Sequence, residues 1–320
     1  MNLLEIEHLS LEFRTRGGTV RALEDVSLAV GKGETLGVVG ESGSGKSVLS
    51  FAVMGISDAA AKVTNGAVRF EGLDLLGDGR SALDELRGAE MSMIFQNPRV
   101  ALNPIRMVGK QIADVLSRHA GVTRDQAKTR AVEMLAKVRI PDPERRARAY
   151  PFEMSGGMCQ RVMIALALAC SPKLLIADEP TTGLDVTTQA AIMDLIGDLA
   201  RESRMSTILI THDLALAAER CDRIAVMHAG HVVEVATTAE LFAHPRHPYT
   251  AKLIATTPRP GVGLAELEPV PGALPDLRGD LPDCRYSTRC ERHRAECAAG
   301  PLARMIDLTN AHLVACRRPL

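Results

Sequence analysis

The stretch Gly40-Glu41-Ser42-Gly43-Ser44-Gly45-Lys46-Ser47 stands between an apolar run, Leu36-Gly37-Val38-Val39, and a helix-like segment, Val48-Leu49-Ser50-Phe51-Ala52-Val53-Met54. Three glycines let the backbone fold around an anion, so that consecutive amides and the positive end of the next helix point at phosphate oxygens. Lys46 then reaches the β- and γ-phosphates and the Ser47 hydroxyl ligates Mg²⁺. A glycine-rich turn that holds nothing is the alternative, and the strand before and helix after argue against it.

Composition bounds the rest. The chain has 320 residues, 46% hydrophobic and 24% charged, as in a soluble globular protein of one large or two modest domains. A formal net charge of −1 gives no bulk attraction to nucleic acid, which is not expected as a partner. The first residues alternate acidic and apolar side chains instead of forming a basic-then-apolar leader, and the run Val162–Cys170 is too short to cross a bilayer. The expectation is an intracellular chain that is not membrane-integral.

Residues 3–13 alternate with period two and predict a strand ending at Phe13, and Val20–Val30 resumes the pattern after Gly17-Gly18. Phe13 is a candidate for stacking on a purine face, or a core side chain. Met91–Phe95 reads as a strand followed by Gln96, placed at the edge where open α/β sheets bind ligands, or simply a polar strand end. Residues 103–170 turn helical: Thr123-Arg124-Asp125-Gln126 fits a capping box and Pro141 stops the helix. Ser155-Gly156-Gly157 leads into a helix expected over Val162–Ala169, as a second phosphate cradle or an ordinary N-cap.

The strand Lys173–Ala177 ends in Asp178-Glu179, where Asp178 suits a Mg²⁺ contact and Glu179 the orientation of an attacking water. A helix cap is the bland reading, weakened because the next helix begins only near Thr187. Ser206–Thr211 ends at His212, a third polar group on a strand tip. Arg223–His228 and His231–Val235 form a hairpin expected to close the domain, and 255–282 reads as a Pro/Gly-rich linker or irregular wrap.

The ordered set closely resembles the ATP-binding cassette of ABC transporters: Walker A at Gly40–Ser47, Q-loop Gln96, signature Ser155-Gly156-Gly157, Walker B Asp178-Glu179, D-loop Leu184-Asp185 and H-loop His212. The match covers roughly 1–250. Across 240–320, His247-Pro248-Tyr249-Thr250-Ala251-Lys252-Leu253, Pro258, Pro271-Gly272 and Pro275 resemble the C-terminal extension of ATPase subunits of dipeptide, oligopeptide and nickel importers. Two positions depart from the pattern. Val48 follows Ser47 where Thr is frequent, and Cys159 replaces Arg or Gln in the signature, as an oxidation-sensitive spot or an inert buried thiol.

The resemblance implies an α/β ABC ATPase fold: a mixed P-loop sheet, an antiparallel β layer, a helical subdomain near 97–165 within a cassette over 1–250, and an extension over 251–320. It implies ATP and Mg²⁺ held through Phe13, Gly40, Glu41, Ser42, Gly43, Ser44, Gly45, Lys46, Ser47, Val48, Gln96 and Asp178, the metal falling to Ser47, Gln96 and Asp178. Asp185 is implied as a further nucleotide-site residue, and Ser155, Gly156 and Gly157 would serve the nucleotide held mainly by a second cassette. Glu179, His212 and Lys46 would carry hydrolysis. The implied partners are a second ATPase subunit, identical or not, two membrane permeases and an extracytoplasmic binding protein. The chain would sit on the cytoplasmic face of the membrane and power import of di- and oligopeptides. A nickel or other small-solute importer is the alternative, and a soluble non-transport ABC ATPase a more distant one.

Of seven cysteines, Cys284, Cys290, Cys297 and Cys316 crowd the tail among arginines. Four thiolates suit a [4Fe–4S] cluster or, without a CxxC pair, less readily zinc; disulfides formed on oxidation are a third reading. The resemblance favours the cluster.

Overall fold

A computed structural model describes residues 2–258, 269–279, 281–298, 306–307 and 312–320. The chain divides into two compact units, Met1–Arg80 with Leu209–Leu320, and Ser81–Ile208.

The first unit opens with β1 (Asn2–Thr15), β2 (Gly18–Gly31), β3 (Thr35–Val39), α1 (Lys46–Met54), β4 (Ala61–Phe70) and β5 (Leu73–Asp74). An antiparallel sheet runs β2-β1-β4-β5. The period-two pattern of the sequence holds in two stretches, Leu4 and Ile6 and then Leu9 and Leu11 being buried, and slips between them, where Glu7 and His8 are both exposed and the pairing with β2 shifts register. Phe13 pairs with Val20 on one side and Ala61 on the other.

The second unit holds α2 (Leu83–Leu86), β6 (Met91–Ile94), α3 (Pro98–Ala101), α4 (Val108–His119), α5 (Arg124–Lys137), α6 (Pro143–Arg146), α7 (Gly156–Leu168), β7 (Leu174–Asp178), α8 (Val186–Ser203) and β8 (Ser206–Thr211), the last crossing into the first unit. Strands β6 and β7 pair in parallel from Met91↔Leu174 to Ile94↔Ala177 and are buried along their whole length, as parallel strands require. The predicted capping box forms: Thr123 and Gln126 exchange hydrogen bonds at the start of α5, whose Ala127, Ala131 and Leu135 are buried. Helix α7 starts at Gly156 and not at Val162, because the Ser155 hydroxyl accepts from the Met158 amide and brings both glycines into the first turn.

Returning to the first unit, α9 (Leu214–Arg220), β9 (Arg223–His228), β10 (His231–Thr237), α10 (Thr238–Ala243), α11 (Pro248–Ala255), β11 (Ile306–Asp307) and β12 (Leu313–Val314) follow. Strand β3 runs parallel to β9, which turns through Ala229-Gly230 into β10. The mixed sheet continues past this hairpin. Glu234 and Val235 pair onward with Val314 and Leu313 of β12, and β12 with β11, so the tail covers the exposed edge of β10.

The Pro/Gly-rich run is a wrap where it is described: the Arg21 amide donates to the Leu277 carbonyl at 3.0 Å, and Val20 bridges Arg278. Its residues 259–268 and 280 lie outside the described residues. No helix among the described residues is long and apolar enough to cross a membrane.

Candidate nucleotide site

In the first unit the loop Gly40–Gly45 leaves β3 and caps α1. Gly45 is the N-cap residue with φ 102°, and a Cβ there would stand 2.9 Å from the Ala22 carbonyl oxygen. Gly40 has φ 152°, and its Cβ would stand 2.1 Å from the Met227 carbonyl oxygen. Only glycine fits both places, which lets the loop turn tightly into the N-terminus of α1, the end of a helix that favours an anion. The Lys46 ammonium is buried and donates to the carbonyls of Gly40 at 2.8 Å and Glu41 at 2.9 Å. Ser47 and Val48, both half-buried, lie in the first turn of α1. Phe13 is half-buried on β1, and His212 is exposed one residue beyond β8.

In the second unit the structure brings Gln96 and Glu179 together, with Gln96 Nε2 donating to Glu179 Oε2 at 2.9 Å. Asp178 is the buried last residue of β7, and Glu179 follows with φ 45°, a left-handed backbone that a non-glycine residue adopts at a cost. Ser155 and Asp185 are both exposed and cap their own helices: Asp185 accepts from the Thr188 amide at 2.9 Å and from its hydroxyl at 2.7 Å. Hydrogen bonds from Thr188 hold the Asp185 carboxyl below its ordinary pKa. Gly156 and Gly157 lie in the first turn of α7, and a Cβ on Gly157 would stand 3.3 Å from Thr188 Cγ2. Cys159 is fully buried with its thiol pushed up by desolvation, so it is a protonated core side chain and not an oxidation-sensitive spot.

Several participants escaped the sequence. Gln160 is buried on α7 and donates to the Pro180 carbonyl at 2.6 Å, anchoring the residue after Glu179. Thr182 Oγ1 donates to Glu179 Oε2 at 2.9 Å. Arg289 makes two hydrogen bonds to the Glu41 carboxylate, at 2.7 and 2.9 Å, and the Tyr249 hydroxyl accepts from the Glu41 amide at 3.1 Å. The spacing from Gln160 to Pro180 is one such pairing that no local pattern carries; that from Glu41 to Arg289 spans 248 residues.

The tail thiols Cys284, Cys290, Cys297 and Cys316 are free and line one cavity of about 40 Å³, with Tyr286, Arg292 and Arg317. Burial pushes the Cys284, Cys290 and Cys316 thiols up, and neighbouring cysteines add to it. Among the described residues no group of three or more His, Cys, Asp or Glu is set to hold a metal ion.

The sequence profile of the family described as ABC transporter matches residues 23–182, and that described as oligopeptide/dipeptide transporter, C-terminal region, matches 233–297. The chain is 45% identical to the dipeptide transport ATP-binding protein DppD of Bacillus subtilis, over 92% of this chain and 88% of that protein. This chain belongs to the ABC transporter family. Within it, the chain is 48% identical to DppD of Haemophilus influenzae over 91% of its length and 88% of that protein, and 50% identical to the oligopeptide transport ATP-binding protein OppD of Bacillus subtilis over 86% and 77%. Its fold matches the ATP-binding cassette MJ0796, solved as a dimer in a post-hydrolysis state bound to ADP and Pi. The TM-score is 0.66 at 27% identity, covering 73% of this chain and 98% of that one. The expected ABC ATPase fold, with its antiparallel sheet and parallel-rich mixed sheet, is therefore the one found.

Proposed function

We propose that this ABC family member hydrolyses ATP to drive import of di- and oligopeptides. The observation that carries this reading is kinship along almost the whole chain with dipeptide and oligopeptide transport ATP-binding proteins, extending through the C-terminal region. The cassette occupies 1–250, with its helical part near 97–165, and the importer-type extension 251–320.

Each residue role follows from the chemistry on its element. The amides of Gly40–Gly45, with Ser42, Ser44 and the start of α1 at Lys46, Ser47 and Val48, take the phosphates, and Lys46 exchanges its loop carbonyls for phosphate oxygens. The hard oxygens of Ser47, Gln96 and Asp178 suit Mg²⁺, which when bound neutralises phosphate charge. Phe13 stacks on the base, Glu179 orients the water under the hold of Gln96, and His212 contacts the γ-phosphate. Ser155, Gly156 and Gly157 serve the nucleotide of a second ATPase subunit, and Asp185 belongs to the nucleotide site. Two membrane permeases and an extracytoplasmic binding protein complete the assembly, with this chain peripheral on the cytoplasmic face.

The four tail cysteines are soft donors around one cavity, which suits a [4Fe–4S] cluster and, without a CxxC pair, less readily a single zinc ion. When bound, such a group would tie three separate parts of the tail together.

The test is reconstitution of the chain with its membrane partners in vesicles, assaying ATP hydrolysis and uptake of labelled dialanine and a pentapeptide. Uptake that needs ATP and is lost on Lys46→Ala is expected. ATP-driven uptake of Ni²⁺ with neither peptide carried would overturn the peptide reading.

A further inference from the structure

The turn Cys284–Cys290 has two faces. Its end cysteines look into the thiol-lined cavity, while the arginines just inside them, Arg285 and Arg289, look the other way, with side chains 1% and 2% exposed. The Arg289 guanidinium grips the Glu41 carboxylate with two hydrogen bonds, donates to the Pro271 carbonyl at 2.6 Å and lies 3.1 Å from His228 Nε2. An arginine only donates, so His228 Nε2 accepts and the ring proton sits on Nδ1. Arg285 donates to the Arg21 carbonyl at 3.1 Å, to the Ala229 carbonyl and to the Glu24 carboxylate. The Gly230 amide beside that contact donates to the Ser44 carbonyl at 2.9 Å. Both arginines therefore bear on Gly40–Ser47, Arg289 directly and Arg285 through the β9–β10 turn.

Glu41 is an anion inside a loop built to receive a polyanion. Left alone its carboxylate would repel phosphate and swing with the loop; a bidentate guanidinium fixes its position and offsets its charge. We infer that Arg289 is a positioning residue for the phosphate-binding loop, acting through Glu41, so that the cysteine-rich tail sets the affinity of the cassette for ATP. The inference rests on reading Gly40–Ser47 as the phosphate cradle.

The experiment measures binding of radiolabelled ATP to the full chain, and KM and kcat in the assembled transporter, with thermal unfolding to establish that each variant is folded. Arg289→Ala weakens ATP binding and raises KM by about tenfold or more, the loss expected for a charged hydrogen-bonded pair, with kcat at saturation little changed. Arg289→Lys, which keeps the charge but not the fork, recovers part of the loss. In a Glu41→Gln background, Arg289→Ala costs less than about twofold, because the partner it acts through is already altered. Where Arg289→Ala does not fold, Arg289→Gln serves in its place with the same expected loss. Wild-type affinity in the folded Arg289 variant, or an undiminished loss in the Glu41→Gln background, overturns the inference while leaving the cradle intact. A wild-type chain that binds no ATP overturns the cradle itself and this inference with it.

Discussion

Gln96 Nε2 and Glu179 Oε2 meet at 2.9 Å, joining the segment after β6 to the residue after β7. Thr182 donates to the same carboxylate oxygen and Gln160 holds the next peptide, so Glu179 keeps one oxygen engaged and its backbone in the left-handed region at φ 45°. Strain held in place by three separate side chains marks a carboxylate whose position matters more than its local comfort.

That placement gives the first prediction. Glu179→Gln keeps the shape and the neighbours but removes the carboxylate that orients the water. Hydrolysis in the assembled complex should fall by about 10²–10⁴-fold while ATP binding persists. Turnover assays beside equilibrium binding check it, and normal turnover would remove Glu179 from its role.

Gly45→Ala tests the cradle geometry. The new methyl would meet the Ala22 carbonyl oxygen at 2.9 Å on a backbone with φ 102°. The strained residue alone costs about 1–3 kcal/mol. A lower unfolding temperature together with loss of ATP binding is expected; a variant with wild-type stability and binding would mean the loop relaxes freely.

How legible this was depends on the range of the interaction. The loop Gly40–Ser47, the capping box at Thr123 and the buried strand ending at Asp178 depend on neighbours within a few residues, so spacing carried them. The engagement of Gln96 with Glu179 was only half visible: each stood at a strand end, but nothing local said the two strands were adjacent. Arg289 and Gln160 were invisible, since an arginine among many in a basic tail and a glutamine inside an apolar helix acquire meaning only through partners distant in sequence. The covering of β10 by β12 was missed for the same reason, as Leu313-Val314 is too short to show alternation.

Acid sensitivity is the third prediction. His228 and His247 are buried and neutral, their pKa pushed down to about 3 by desolvation, with the Arg289 charge adding to it for His228. Unfolded histidines titrate near about 6.5, so between that value and about 3 the unfolded chain binds more protons and stability falls as pH falls. Each histidine contributes about 1.4 kcal/mol per pH unit well below the upper limit. His247 Nδ1 also accepts from the Tyr249 amide at 3.0 Å, capping α11, a bond that protonation there would break. Unfolding temperatures should drop between pH 7.5 and 5.5, and less steeply in His247→Asn, which caps without titrating. A flat profile would refute the account.

The last prediction concerns the thiols. Burial keeps Cys284, Cys290 and Cys316 protonated at neutral pH, so an occupant of their cavity must displace protons and its affinity must rise with pH. Protein purified without oxygen should carry iron and sulfide, about four irons per chain for a cubane cluster. Cys290→Ser should lose them and, because Cys290 adjoins Arg289, weaken ATP binding in the same direction as the arginine variants. One equivalent of zinc in place of iron would assign the cavity to a structural ion, and protein free of both metals would leave the thiols as a cavity lining whose contribution to the phosphate loop comes from the arginines alone.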